Sequence, residues 1–337
     1  MACRPTSAAT RQAGDAVFGR KAMTWSVVVA APRPPDGDLW GDTVFARDLV
    51  AALERAGQHA KVVFRGGAES QGRESDDVVV VLRGLRRVVP RRGNATWLLW
   101  VISHPELVEP DEPAQYDAVF AASTQWSRAG EFGVPVTPLL QATAPERFTP
   151  AAASPDTGPD LLFVGSTRGE YRPAVRAAVE AGIDVQVHGV GWEEFLPQER
   201  IAGEFLDPAD LPAAYASAGV VLNDHWPDMA REGFLSNRLF DAAATGTRVL
   251  SDPAAGMDEV FGDVVRTAGD AEELVAILRA DREVAFAGRE ERRELADRIA
   301  REHSFDARAA VLISRARELR GRRAEGTGAA KGGRSRG

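Results

Sequence analysis

The chain has 337 residues, enough for two α/β domains of ordinary size, and its 44% hydrophobic and 27% charged content is that of a globular protein. A net charge of −8 argues against a nucleic-acid partner over most of the surface. No apolar run approaches the roughly 20 residues that span a bilayer, and the single cysteine, Cys3, excludes both an internal disulfide framework and a cysteine metal site.

These features fit a cytoplasmic, reducing compartment. Residues 1–22 carry Arg4, Arg11, Arg20 and Lys21 without an apolar core, so they read as a disordered extension and not a secretory signal. Met23, directly before the first strand, is an alternative start.

The run WSVVVAA over 25–31 reads as a buried strand. A loop rich in Pro, Gly and Asp follows, then a helix opening at Gly41-Asp42-Thr43 and closing at Gly57. Further apolar strands fall at 59–64, 77–82, 96–102 and 117–121. Their apolarity is continuous and does not alternate, which predicts a parallel sheet covered on both faces. This makes a first domain over 23–145. Pro, Ala, Thr and Ser without periodicity then mark a linker, set at 146–159.

The pattern restarts over 160–302. Strand 160–164 leads into the loop GSTRGE and a helix at 171–181, and strand 183–188 follows. A helix at 207–218, a strand at 219–223, a helix opening at Ser236 and a strand at 247–251 complete the alternation. The expected architecture is therefore α/β, with two Rossmann-like doubly wound domains facing a cleft. Past Asp270 come helices laced with Arg and Glu, the last of them over 303–320. Residues 321–337 are Gly-rich, with five Lys or Arg against one Glu, and read as a disordered basic tail.

The densest chemistry lies in REGFLSNRLFDAAATGTRVLSD, residues 231–252. Ser236 is placed to cap a helix whose first turn carries Asn237 and Arg238, and Gly246 marks its end. Open amides at such a helix start favour a phosphate. Glu232 ahead of the helix and Asp241 in its second turn add carboxylates suited to sugar hydroxyls. After strand 160–164, Gly165-Ser166-Thr167-Arg168 puts two hydroxyls and a guanidinium at a strand's carboxyl end, where open α/β sheets bind ligands. Arg172 follows by one helical turn. His188 and Asn223 end two further strands and join the same candidate ligand pocket. In the first domain Gly41, Asp42 and Thr43 are candidates for the opposite side of the cleft, which the resemblance named below makes the acceptor side, and His104 in ISHPE is a candidate polar contact or base there.

The 231–252 segment resembles the nucleotide-sugar half of GT-B glycosyltransferases. Its Gly-Phe-x-Ser-Asn-Arg, acid, Ala-rich, Gly run is most similar to that of the CgeB-like spore-maturation group, and the likeness extends from about Trp25 to Ala310. The resemblance implies a metal-independent transferase that moves a sugar from a nucleotide-diphosphate sugar to an acceptor, with retention of anomeric configuration and no other cofactor. It implies that Arg168, Arg172 and Arg238 meet the diphosphate, that Asp241 meets the ribose and Glu232 the sugar, and that the last helix crosses back to the first domain. The family pattern spaces its two glutamates by seven residues, whereas eight separate Glu232 from Asp241. A non-catalytic nucleotide-sugar-binding or structural protein with a decayed site is the rival reading.

Two other chemistries are set aside. Asp36-Gly37-Asp38 spells a metal-binding Asp-x-Asp, but it follows the first strand and Asp-Gly is an ordinary turn signal. A nicotinamide fold needs Gly-x-Gly-x-x-Gly after a strand, and Gly189-Val190-Gly191 lacks the third glycine.

Overall fold

The computed structural model describes residues 21–38, 40–66, 75–91, 93–130, 132–153 and 158–332, with side chains through 325. The expected extension lies outside these residues except for Lys21 and Ala22.

The first domain runs β1 (Thr24–Val28), α1 (Gly41–Arg55), β2 (His59–Val63), β3 (Val78–Arg83), β4 (Thr96–Val101), β5 (Ala118–Ala121), α2 (Thr124–Arg128) and β6 (Val136–Pro138). Every strand pairing is parallel, in the order β2-β1-β3-β4-β5-β6. VVVVLR and TWLLWV, the central β3 and β4, are buried at all positions, as continuous apolarity requires of a sheet covered on both faces.

The second domain runs β7 (Leu161–Val164), α3 (Pro173–Glu180), β8 (Gln186–His188), β9 (Ile201–Gly203), α4 (Leu211–Ser217), β10 (Val220–Asn223), α5 (Pro227–Glu232), α6 (Asn237–Ala244), β11 (Arg248–Ser251), α7 (Met257–Phe261), β12 (Arg266–Thr267), α8 (Ala271–Arg279), α9 (Arg282–Ala285), α10 (Arg289–Glu302) and α11 (Phe305–Gly332). Its sheet is also parallel, ordered β12-β11-β10-β7-β8-β9. Two doubly wound α/β halves result, as the alternation of apolar strands and helices predicts. The short strands β6, β9 and β12 and the helix α5 add to the expected elements. Their few residues carry too little apolar pattern to read.

Chain order in the second sheet reverses between β7 and β10, and in the first between β1 and β3. Such switch points open a crevice at the strands' carboxyl ends. The two crevices face one another.

One element joins the halves from outside. Thr143 and Ser304 form an isolated parallel bridge, with Thr143 N donating to His303 O at 2.9 Å and Phe305 N donating to Thr143 O at 3.0 Å. Helix α11 then lies on α1, where the Phe305 ring meets Phe45 edge-on at 4.7 Å. Arg308 donates to Leu140 O at 2.7 Å and Gln141 O at 2.8 Å.

The helix does not stop near 320. It continues through Gly332, so the stretch 321–332 read as disordered tail is helical, while 333–337 lie outside the described residues. Its polar side is held by charge. Arg320 donates to Asp77 Oδ1 at 2.5 Å, Arg323 pairs with Asp117, and Arg322 pairs with Glu318 one turn earlier at 2.6 Å.

Candidate functional site

The facing crevices form one cleft of about 600 Å³. Its second-domain wall includes Gly165, Ser166, His188, Ser236, Asn237, Arg238 and Asp241, and its first-domain wall includes Gly41 and Asp42. The chain thus brings nine of the sequence-derived candidates to one cavity. Arg168, Arg172, Asn223, Thr43, His104 and Glu232 do not line it.

At the floor, Gly165 follows β7 because nothing larger fits. A Cβ there would meet Arg238 Nη2 at 2.8 Å, and one on Gly189 would lie 2.2 Å from Gly165 O. Arg238 Nη1 donates to Asn223 Oδ1 at 2.8 Å and Nη2 to Val164 O at 2.6 Å, so Asn223 acts through the arginine it orients. The guanidinium carbon of Arg238 is 4.9 Å from the Phe163 ring centre.

Arg172 turns inward. It is buried, its Nε donates to Asp224 Oδ2 at 2.7 Å, its Nη2 bonds the other carboxylate oxygen, and its Nη1 donates to Ser166 O at 2.9 Å. A fork committed in this way fixes the Gly165–Thr167 loop from beneath and has no face left for a ligand. Arg168 has φ +59° and rests 4.2 Å over the Trp226 ring, without an acid in ion-pair range among the described residues. Burial, with Arg172 and Arg238 close by, pushes it down to about 10.

Ser236 occupies the N-cap of α6, but its side chain makes no capping bond. A histidine anchors the helix start instead. Ser236 N donates to His225 Nε2 at 3.0 Å, and His225 Nδ1 lies 2.6 Å from Asp252 Oδ1. One turn on, Asp241 accepts from Thr143 Oγ1 and from Asn237 Nδ2, both at 2.8 Å. Burial pushes its carboxyl up to about 7 against the pull of those two bonds. Asn237 Oδ1 and His188 Nδ1 are buried without hydrogen-bond partners among the described residues, and burial holds His188 below its ordinary range.

On the opposite wall Asp42 stands in the first turn of α1. No group among the described residues bonds it, and burial raises its carboxyl while His104 pulls it back. Thr43 points away and donates to Gly37 O at 2.7 Å, fixing the loop before α1. Asp48, two turns after Gly41, is tied to Arg147 at 2.5 Å, and Arg147 also donates to Pro208 O of the second domain at 3.1 Å. Asp48 and Arg147 line the cleft, as do Gln141 and Phe205. They carried no motif in the sequence and become visible only in the fold.

The two residues singled out for catalysis lie off the cleft. Glu232 ends α5, bonded to Arg231 Nε at 2.8 Å, and the left-handed Gly233 that caps this helix carries the chain on while Glu232 O accepts from Ser123 Oγ at 2.5 Å. His104 bonds Glu106 at 3.0 Å beside Trp226. With Asp228 of the second domain, His104 and Glu106 bring three potential ligand atoms within 4.8 Å, a set that could take a divalent cation. The sequence hid it because Asp228 is more than a hundred positions away. Glu106, raised chiefly by burial, sits against Asp228, whose carboxyl is held down despite its own burial.

Against solved structures, the chain is similar to AviGT4, a glycosyltransferase involved in avilamycin A biosynthesis (TM-score 0.60, 17% identity, 89% of this chain and 98% of that one). It is likewise similar to sucrose-phosphate synthase from Thermosynechococcus elongatus (TM-score 0.64, 16% identity, 88% and 99%). A third likeness is to Anabaena Alr3699/HepE in complex with UDP-glucose (TM-score 0.58, 12% identity, 87% and 99%). The fold is that of the GT-B glycosyltransferases. Residues 168–314, spanning most of the second domain, match the family described as glycosyl transferase-like. A comparison with curated protein sequences finds no match. No helix among the described residues is long and apolar enough to cross a membrane.

Proposed function

We propose that the protein is a glycosyltransferase of the CgeB-like group that takes a hexosyl unit from a nucleoside-diphosphate sugar and passes it to an acceptor on the first-domain wall. The observation that carries this reading is the second-domain wall, where Gly165, Ser166, Arg238 and the start of α6 meet at the β7/β10 switch point with Asp241 one turn away. A diphosphate there faces a guanidinium and open helix amides, and Arg168, stacked on Trp226 and electrostatically coupled to Arg238, adds positive charge beside it. Asp241 suits the ribose diol, because a carboxylate accepts from two hydroxyls at once. His188 and Phe205 suit the base.

The reaction needs charge neutralised on the departing diphosphate. Arg238, Arg168 and the α6 amides supply it without a metal. The family resemblance carries with it retention of configuration, with Glu232 at the sugar. Glu232 does not line the cleft and is bonded to Arg231, however, and this favours a second reading in which the nucleotide sugar is bound and not turned over.

Calorimetry with UDP, GDP, ADP and dTDP against NAD tests the donor site, and UDP comes first because a protein of this fold holds UDP-glucose. Micromolar binding of one diphosphate and none of NAD is expected, and binding of NAD alone would sink the proposal. Donor hydrolysis then separates transferase from binding protein.

A further inference from the structure

We infer that His104, Glu106 and Asp228 hold a divalent cation that clasps the two halves of the chain together beside the cleft. His104 and Glu106 follow β4 in the first domain, Asp228 stands in the first turn of α5 in the second, and one ligand atom from each lies within 4.8 Å of the others. None of the three lines the cleft, so a cation there touches nothing held in it. The clasp therefore stands or falls apart from the nucleotide site.

Two observations beyond the grouping point to a cation. Asp228 Oδ2 is closed off from solvent and no described residue donates to it. A buried acceptor oxygen left over beside a second carboxylate costs free energy until something electron-poor is put between them. The nitrogen ligand is also already in place. His104 holds a left-handed φ of +52°, uncommon for a residue with a Cβ, and its Nδ1 lies 3.0 Å from Glu106 Oε1. A tetrahedral Zn²⁺ with ligands at about 2.1 Å sets them about 3.4 Å apart, close to that spacing. Rotation of the exposed Glu106 side chain closes the remaining distance to Asp228, and water fills the fourth position.

The donor set selects the ion. One imidazole and two carboxylates suit Zn²⁺ or Mn²⁺, whereas Mg²⁺ is held by oxygen alone.

The surroundings make the site a clasp between halves. The turn Pro105–Leu107 packs on α5, whose far end is also tied to the first domain, since Glu232 O accepts from Ser123 Oγ at 2.5 Å. Trp226, directly ahead of α5, lies 5.8 Å from the His104 ring and carries Arg168 on its face at 4.2 Å. A cation that needs ligands from both halves binds only while they are together, and so favours that arrangement.

The test uses the full chain, stripped with EDTA and then titrated with Zn²⁺, Mn²⁺ or Mg²⁺ by calorimetry and melting curves. Zn²⁺ is expected to bind and to raise the melting temperature as it saturates, because the unfolded chain lacks the site; Mn²⁺ should do so more weakly and Mg²⁺ not at all. Asp228→Asn and His104→Asn, the latter chosen because asparagine tolerates a left-handed backbone, are each expected to lose this binding by more than the about 10- to 100-fold that removal of a supporting partner costs. In EDTA, Asp228→Asn should melt at or above the native temperature, since it removes one of two adjacent carboxylates, so its loss of binding is not a loss of fold. No Zn²⁺ bound, native Zn²⁺ affinity in Asp228→Asn, or an equal rise with Mg²⁺ would each overturn the clasp.

Discussion

His225 Nδ1 lies 2.6 Å from Asp252 Oδ1 while the other ring nitrogen accepts the backbone N–H of Ser236 at 3.0 Å. An accepting Nε2 carries no proton, so the carboxylate fixes the tautomer and the imidazole fixes the first residue of α6. Every α6 side chain in the cleft depends on that anchor. His225→Ala is expected to destabilise the fold by about 1–3 kcal/mol, the cost of leaving a buried donor unsatisfied, and to weaken nucleoside-diphosphate binding. His225→Gln, which can still accept from Ser236, is expected to recover part of both. Melting curves and calorimetry on the two variants check this, and equal behaviour of the two would remove the anchor role.

Asp241 adds a pH dependence whose sign is fixed. Its carboxyl sits at about 7 in the fold against an ordinary 3.8, so the native state binds its proton more tightly than the unfolded chain does. The resulting stabilisation is complete below about 4 and is lost as pH rises through 7. Its size is at most a few kcal/mol at ~1.4 kcal/mol per unit. Native protein without ligand is expected to melt at lower temperature at pH 8 than at pH 5, with Asp241→Asn showing a smaller difference. A ribose diol held by the ionised carboxylate reverses the trend, so saturating diphosphate should raise the melting temperature more at pH 8 than at pH 6.

The strands were legible because burial on both faces writes a continuous apolar run, as in β3 and β4. The second-domain wall of the cleft was legible in part because Gly165, Ser236 and Arg238 sit at element ends, where turn and cap chemistry leaves a local mark. Pairings across sequence left none. Arg172 and Asp224 are 52 residues apart, Thr143 and Asp241 are 98, and Asp48 and Arg147 are 99. Read alone, Arg172 is a ligand candidate, and only its distant partner turns it into a support. At Glu232 the deciding feature is local. Pro227 at the first helical position and Gly233 at the end make a short helix of 227–232, and its last residue, Glu232, bonds Arg231 and does not line the cleft.

The two arginines at the switch point should separate cleanly. Removing Arg172 strands a buried Asp224 carboxylate, so Arg172→Ala is expected to cost about 3–5 kcal/mol of stability. Arg172→Lys should not rescue it, because an ammonium cannot make the fork to both carboxylate oxygens while holding Ser166 O. Arg238→Ala is expected to cost less in stability and to weaken diphosphate binding by about 1.5–3 kcal/mol, the range for a hydrogen bond to a charged group. Chemical denaturation and calorimetry on each variant decide. The assignment fails if Arg172→Ala melts like the native chain and loses only affinity.

Helix α11 governs how the two halves meet. Phe305, 1% exposed, packs edge-on to Phe45, which in turn lies 5.3 Å from Trp100 of the first sheet. The same residue's backbone closes the bridge to Thr143, the group that also donates to Asp241. Phe305→Ala removes the ring from this stack and is expected to destabilise the protein by about 3–5 kcal/mol. Because Phe305 borders the cleft and sets Thr143, the loss should extend to the ribose carboxylate, with diphosphate affinity falling even at temperatures where the variant is folded. Phe305→Leu keeps most of the volume and is expected to restore binding before full stability. Denaturant titration with calorimetry at 10 °C checks both, and a Phe305→Ala protein that binds diphosphate like the native chain would show that α11 braces the fold without reaching the site.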